Sequence, residues 1–102
     1  MRVIARKTLV EYGKKYPEAK GQLVAWFGFV NKVKWGNFAD VTKFSNKAAL
    51  IQKQTVIFNI KGNQYRLEVK IYFTMQTVYV IWFGTHTEYD KRNKERKNVQ
   101  IN

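Results

Sequence analysis

The 102-residue chain has no cysteine and a single proline, Pro17. Without thiols it can form neither a disulfide framework nor a thiolate zinc site. Its lone histidine, His86, is a poor start for any metal centre. Acidic residues are also scarce: seven Asp and Glu stand against nineteen Lys and Arg, for a formal charge of +12. Magnesium-dependent phosphoryl chemistry clusters carboxylates around its ion, and Glu11, Glu18, Glu68, Glu88 and Asp90 show no such spacing. No apolar run approaches the roughly 20 residues that span a bilayer, and the basic N-terminus is not followed by a signal-type apolar region. Gly-rich phosphate-loop and dinucleotide patterns are missing; Lys61-Gly62-Asn63 alone is neither. These absences lead us to expect no metal, no cofactor and no membrane partner, in a soluble cytoplasmic protein.

What is present fits one folded domain over residues 1–102, with 92–102 as a basic tail. The apolar share is 45% and the aromatic share 16%, outside the range of a disordered chain. The positive charge favours an anionic partner, with nucleic acid the first to consider.

The strongest pattern runs from Thr55 to Lys91. Tyr65, Leu67, Val69, Ile71 and Phe73 alternate with Gln64, Arg66, Glu68, Lys70 and Tyr72, as in a half-buried strand. Gly62-Asn63 suits a two-residue hairpin turn, pairing Ile60 with Tyr65, Asn59 with Arg66, Phe58 with Leu67 and Val56 with Val69. A second turn at Thr74-Met75 would pair Ile71 with Val78, Val69 with Val80 and Leu67 with Trp82. That register gathers Val56, Phe58, Ile60, Leu67, Val69, Ile71, Val78, Val80 and Trp82 on one face. It leaves Asn59, Lys61, Arg66, Lys70, Tyr79 and Phe83 on the other.

Arg2-Val3-Ile4 suits an edge strand. Thr8 and Glu11 have capping-box spacing and open a first helix, which must stop near Tyr16 before Pro17. Pro17 then begins a second helix, with an apolar stripe of Leu23, Trp26, Phe27, Val30 and Val33 that ends at Trp35-Gly36-Asn37. Asp40 to Phe44 suits one helical turn, and Ser45 to Gln54 a surface connection. The expected architecture is α+β: two N-terminal helices packed on one face of a small antiparallel β-sheet. The charged face is left open, and the tail with Arg92, Lys94, Arg96 and Lys97 reads as a frayed helix or a segment ordered by an anionic partner.

RNA offers chemistry that fits this inventory. Its 2′-hydroxyl can attack the neighbouring phosphate, so an enzyme needs only to position, move protons and neutralise charge. Arg66 matches phosphate oxygens with its planar fork, and Lys61 and Lys70 add point charges. Imidazole titrates near neutrality, which makes His86 the first candidate for acid or base. Tyr89 is a candidate proton donor or stacking partner, and Phe83 and Tyr79 are candidates for stacking on bases. The dull alternatives are an ion pair from Arg66 to Glu68 or Glu88, and a merely turn-closing His86.

The runs Phe58-Asn59-Ile60-Lys61-Gly62-Asn63-Gln64-Tyr65-Arg66-Leu67 and Gly84-Thr85-His86-Thr87-Glu88-Tyr89-Asp90-Lys91 resemble the HigB toxins of type II toxin–antitoxin modules, within the RelE/ParE superfamily. The opening Met1-Arg2-Val3-Ile4-Ala5-Arg6-Lys7-Thr8-Leu9 and the helix around Trp26 resemble them too. The resemblance implies a RelE-like fold and an endoribonuclease that cuts mRNA on the ribosome, blocks translation, and is held by a HigA-type helix-turn-helix antitoxin. It implies catalytic roles for His86, Arg66, Tyr89 and Lys61. Beside it, Lys70, Asn59, Lys91 and Phe83 are the candidates for RNA contact, although the family would place a lysine where Asn59 stands. RelE itself has an arginine where His86 stands here, so acid and base stay unassigned. A non-catalytic RNA-binding inhibitor of translation and a ParE-like gyrase poison remain as alternatives.

Overall fold

A computed structural model describes residues 1–45 and 48–101, with side chains described as far as Arg96. Residues 46 and 47 of the Ser45–Gln54 connection, the side chain of Lys97 and residue 102 lie outside that range. Strand β1 (Arg2–Ile4) leads into α1 (Arg6–Lys15) and, through a 3-10 turn at Pro17–Ala19, into α2 (Lys20–Val30). Helix α3 (Phe38–Phe44) precedes β2 (Ala49–Leu50), β3 (Thr55–Ile60), β4 (Tyr65–Tyr72) and β5 (Thr77–Thr85), and α4 (His86–Ile101) follows. The five strands form one sheet in the order β1-β5-β4-β3-β2, antiparallel except for β1, which runs parallel to β5.

The first helix starts earlier than its composition suggests. Ala5 takes a left-handed conformation (φ 83°) and α1 begins at Arg6 with no side-chain cap, so Thr8 and Glu11 lie inside it. The chain leaves α1 at Tyr16 and turns on Pro17, as its restricted backbone requires. Helix α2 stops at Val30, short of Trp35. Asn37 instead opens α3, its Oδ1 accepting the Asp40 N–H at 3.1 Å.

The first hairpin has the expected register, Ile60 against Tyr65 through Val56 against Val69. Its turn draws two residues into the left-handed region, Lys61 (φ 53°) and Gly62 (φ 64°). The second hairpin begins as expected, with Ile71 against Val78 and Val69 against Val80. A β-bulge then leaves Ile81 unpaired, so that Glu68 faces Trp82 and Leu67 faces Phe83. One extra residue exchanges the faces of everything beyond it. Phe83 is therefore 4% exposed in the core, and Trp82 has moved to the other side.

The core lies between the sheet and the N-terminal helices. Leu9, Leu23, Trp26 and Val30 pack there with Phe58, Leu67, Val69, Ile71 and Val78. Phe83 stacks on Tyr65 with ring centres 5.3 Å apart, and Tyr12 and Tyr16 close over it at 5.5 and 5.6 Å. The second face is not open along its length. Helix α4 crosses it, with Tyr89 6.0 Å from Trp82 and the Arg92 guanidinium 5.4 Å over the Trp82 ring. Beneath α4 lies Glu68, 3% exposed, which accepts from Arg96 Nη2 at 2.8 Å and Arg92 Nε at 3.5 Å.

Candidate functional site

Four elements meet where β5 becomes α4: the ends of β3 and β4 around the Lys61–Gln64 turn, the C-terminal end of β5, and the N-terminus of α4. The junction is built by local chemistry. Thr85 Oγ1 accepts the Glu88 N–H at 3.1 Å, and Glu88 Oε1 accepts the Thr85 N–H at 2.8 Å. This is a reciprocal capping box, and its Thr-x-x-Glu spacing stands in the sequence as Thr85-His86-Thr87-Glu88. The same Glu88 oxygen accepts from Tyr16 Oη at 2.7 Å, tying α4 to the end of α1. The Thr85 and Tyr16 hydrogen bonds hold the Glu88 carboxyl below its usual range. Burial, then the bond to Glu88, pushes the Tyr16 hydroxyl up to about 12.

Gly84 makes this corner sterically feasible. A Cβ there would lie 2.7 Å from the Trp82 ring and 3.0 Å from Glu88 Oε1. Trp82 can fold over the backbone only because the side chain is missing.

Arg66 stands opposite Gly84 on β5 and Asn59 on β3. Its Nη1 donates to the Asn63 and Tyr65 carbonyls at 3.1 and 3.2 Å, and its Nη2 to Asn63 Oδ1 at 3.0 Å. These bonds curl the guanidinium over the hairpin turn, half-exposed. Among the described residues no carboxylate pairs with it. Glu68 is held by Arg92 and Arg96, and Glu88 by Thr85 and Tyr16. The charge of Arg66 is thus not spent inside the protein.

The His86 backbone N–H donates to the Gln64 carbonyl at 2.9 Å, which fixes the first residue of α4 beside the strand that carries Arg66. Its imidazole is 48% exposed, with Nε2 3.1 Å from Asp90 Oδ2 one turn along the helix. Tyr89, on the next turn, leans over the sheet and is half-buried. Burial raises its hydroxyl above the ordinary tyrosine value, against the opposing pull of Arg96 and Arg66. It therefore keeps its proton at neutral pH and can give one but not take one. The junction can bind an anion through Arg66, accept or deliver a proton through His86, and donate through Tyr89.

The other sequence candidates fall in different places. Asn59 pairs with Arg66, and with Lys61 it borders a hollow along the edge of β3, shared with Trp26 and Phe29. Lys70 lies four residues from Arg66 along β4, about 13 Å away at strand rise, and on the far side of α4. Lys91 is exposed, about 140° around α4 from His86 and turned away from the sheet. Phe83 cannot touch RNA from within the core; the bulge at Ile81 put it there. Sequence reasoning missed the Thr85–Glu88 box and the two arginines on Glu68. The box was visible as a spacing. The Arg92 and Arg96 pair was visible as two like charges four residues apart, able to face one buried acid.

Comparison with known proteins draws on the same stretch. Residues 19–92 match the family described as HigB_toxin, RelE-like toxic component of a toxin-antitoxin system. The chain is 31% identical over 93 residues to the mRNA interferase toxin HigB of Escherichia coli (strain K12), covering 88% of each chain. The mRNA interferases HigB of Escherichia coli O157:H7 and Shigella flexneri match over the same extent at the same identity. The matched residues take in β3, β4, β5 and the start of α4, hence the whole junction that holds Arg66, His86 and Tyr89. The chain belongs to the HigB family of RelE-like toxins.

Proposed function

We propose that the chain is the toxin of a type II toxin–antitoxin module and acts as a metal-independent endoribonuclease that cuts mRNA, on the translating ribosome, and so blocks translation. The observation that carries this reading is the unpaired positive charge of Arg66 at a corner that also holds His86 and Tyr89. An RNA phosphate beside Arg66 would have its developing charge met by the guanidinium, with Lys61 on the turn adding to the field. The 2′-hydroxyl of the preceding nucleotide is the nucleophile. One proton must leave it and another must reach the departing 5′-oxygen. His86 can serve either step, and Tyr89, which stays protonated, fits the second. The curated relatives' name, mRNA interferase, supports this substrate. The partner that restrains the toxin is a HigA-type helix-turn-helix antitoxin, and both work in the cytoplasm.

The test is a map of transcript 5′ ends after a brief pulse of expression. New ends in register with codons support cutting on the ribosome, and their absence ends the nuclease reading. His86→Ala and Arg66→Ala should each remove those ends and the growth arrest by at least about a hundredfold in cutting rate. Each variant should still fold. DNA damage in place of lost translation would point to gyrase.

A further inference from the structure

The crossing of α4 leaves a second exposed patch at the far end of the sheet, which the proposed reaction does not use. Tyr72 and Tyr79 meet there edge to face, with ring centres 5.6 Å apart. Tyr79 is 36% exposed and Met75 65%, and Ile81, the residue expelled by the bulge, stands out beside them. The patch forms an open hollow bordered by Lys70, directly across the ladder from Tyr79. On the other flank β1 sets Ile4 beside Tyr79 and Arg2 beside Thr77. Because Val3 between them packs on the core, Arg2 projects on the same side as the tyrosines, and it is exposed.

Building on the ribonuclease reading, we infer that this patch is a second contact for single-stranded RNA, in which Tyr79 and Tyr72 stack a base and Lys70 and Arg2 take phosphates on either side. Three observations favour RNA over an apolar protein partner. Two of the five residues lining the hollow are tyrosines in edge-to-face contact, and a tyrosine ring offers a base a stacking plane. Cations flank those rings on both sides, and among the described residues no carboxylate lies within ion-pairing distance of Arg2 or Lys70. The patch also shares its side of the sheet with Arg66, and Arg92 and Arg96, each partly exposed, lie between the two. A strand of RNA held at Arg66 would therefore follow the arginines of α4 to reach the tyrosines. The hollow that this track crosses is lined by Lys70, Arg92 and Arg96 together with Glu95 and the Glu68 that the two arginines hold.

The test is binding of a short 5′-labelled 2′-O-methyl oligouridylate, which cannot be cut, to the full chain by fluorescence anisotropy across a salt series. Tyr79→Ala should weaken binding about five- to a hundredfold, the loss of one stacked base. Tyr79→Phe should stay within about twofold, and Tyr79→Leu, which keeps apolar area without a ring, should behave as the alanine variant does. Lys70→Ala should lower the slope of log affinity against log salt by roughly 0.7. Circular dichroism confirms that each variant is folded. Unchanged affinity in Tyr79→Ala, or wild-type affinity in Tyr79→Leu, overturns the inference. So does a Tyr79→Ala variant that keeps its RNA affinity but loses its antitoxin, which would give the patch to a protein. The transcript 5′ ends judge the nuclease reading independently: ends lost in His86→Ala with oligonucleotide binding indifferent to Tyr79 would leave the reaction standing and remove the platform.

Discussion

The two faces of the sheet are both covered by helix, but by different means. On one, α1 and α2 bury an apolar and aromatic layer in which Phe58, Leu67, Ile71 and Val78 are fully enclosed. On the other, α4 lies over one carboxylate, Glu68, shared between two arginines, and over Trp82 through Tyr89. Its first turn is tied by polar bonds to Thr85, Tyr16 and Gln64. Apolar burial is non-directional and its loss is felt throughout a domain. A buried ion pair gains little net free energy over its desolvation, yet breaking it strands a charge. The difference assigns stability to the first face and a separable helix to the second. The surface we propose for RNA lies on the second.

Three measurements would break or sharpen that contrast. Leu67→Ala on the enclosed face should cost about 2–5 kcal/mol of global stability, read by urea unfolding. Its neighbour on the opposite face, Glu68→Gln, should cost about 1–3 kcal/mol, since the two arginines keep some water. Hydrogen exchange should show that loss concentrated in α4 amides, with β4 and β5 still protected; equal loss in the sheet would erase the distinction. The smallest effect is at the Tyr16–Glu88 bond, which joins the two sides. Tyr16 has a folded pKa of about 12 against an ordinary 10.0, so its contribution is complete below pH 10 and fades as pH rises toward 12. Glu88 is lowered from 4.5, so its contribution holds above that value and fades as pH falls beneath it. Tyr16→Phe should flatten the alkaline arm of a stability–pH curve and leave most of the acid arm, because the Thr85 bonds remain. An unchanged alkaline arm would mean the hydroxyl is not the group responsible.

The sequence carried the first hairpin in full because strict alternation meets a glycine turn there, and any slip would bury Arg66 and Lys70. It could not carry the second half of β5. From Val78 to Phe83 nearly every residue suits either face, so a one-residue bulge at Ile81 leaves no mark in the pattern, and Trp82 and Phe83 exchanged places. Capping failed for a related reason. Thr8–Glu11 and Thr85–Glu88 share one spacing, but a left-handed Ala5 starts the first helix without a cap, and only the second pair closes the reciprocal bonds. Arg66, Asn59, His86 and Tyr89 were legible as neighbours because the hairpin register and the Gly84–Lys91 run place them together. Lys91 and Lys70 were legible only as charge, since their separation follows from how α4 crosses the sheet.

The three indoles of the chain are unequally placed. Trp26 and Trp35 are sealed in the core, whereas Trp82 lies half-covered between Gly84, Tyr89 and the Arg92 guanidinium. Departure of α4 would hydrate that one ring and leave the other two in the dark, so the wild-type chain carries its own fluorescent gauge of whether the helix is seated.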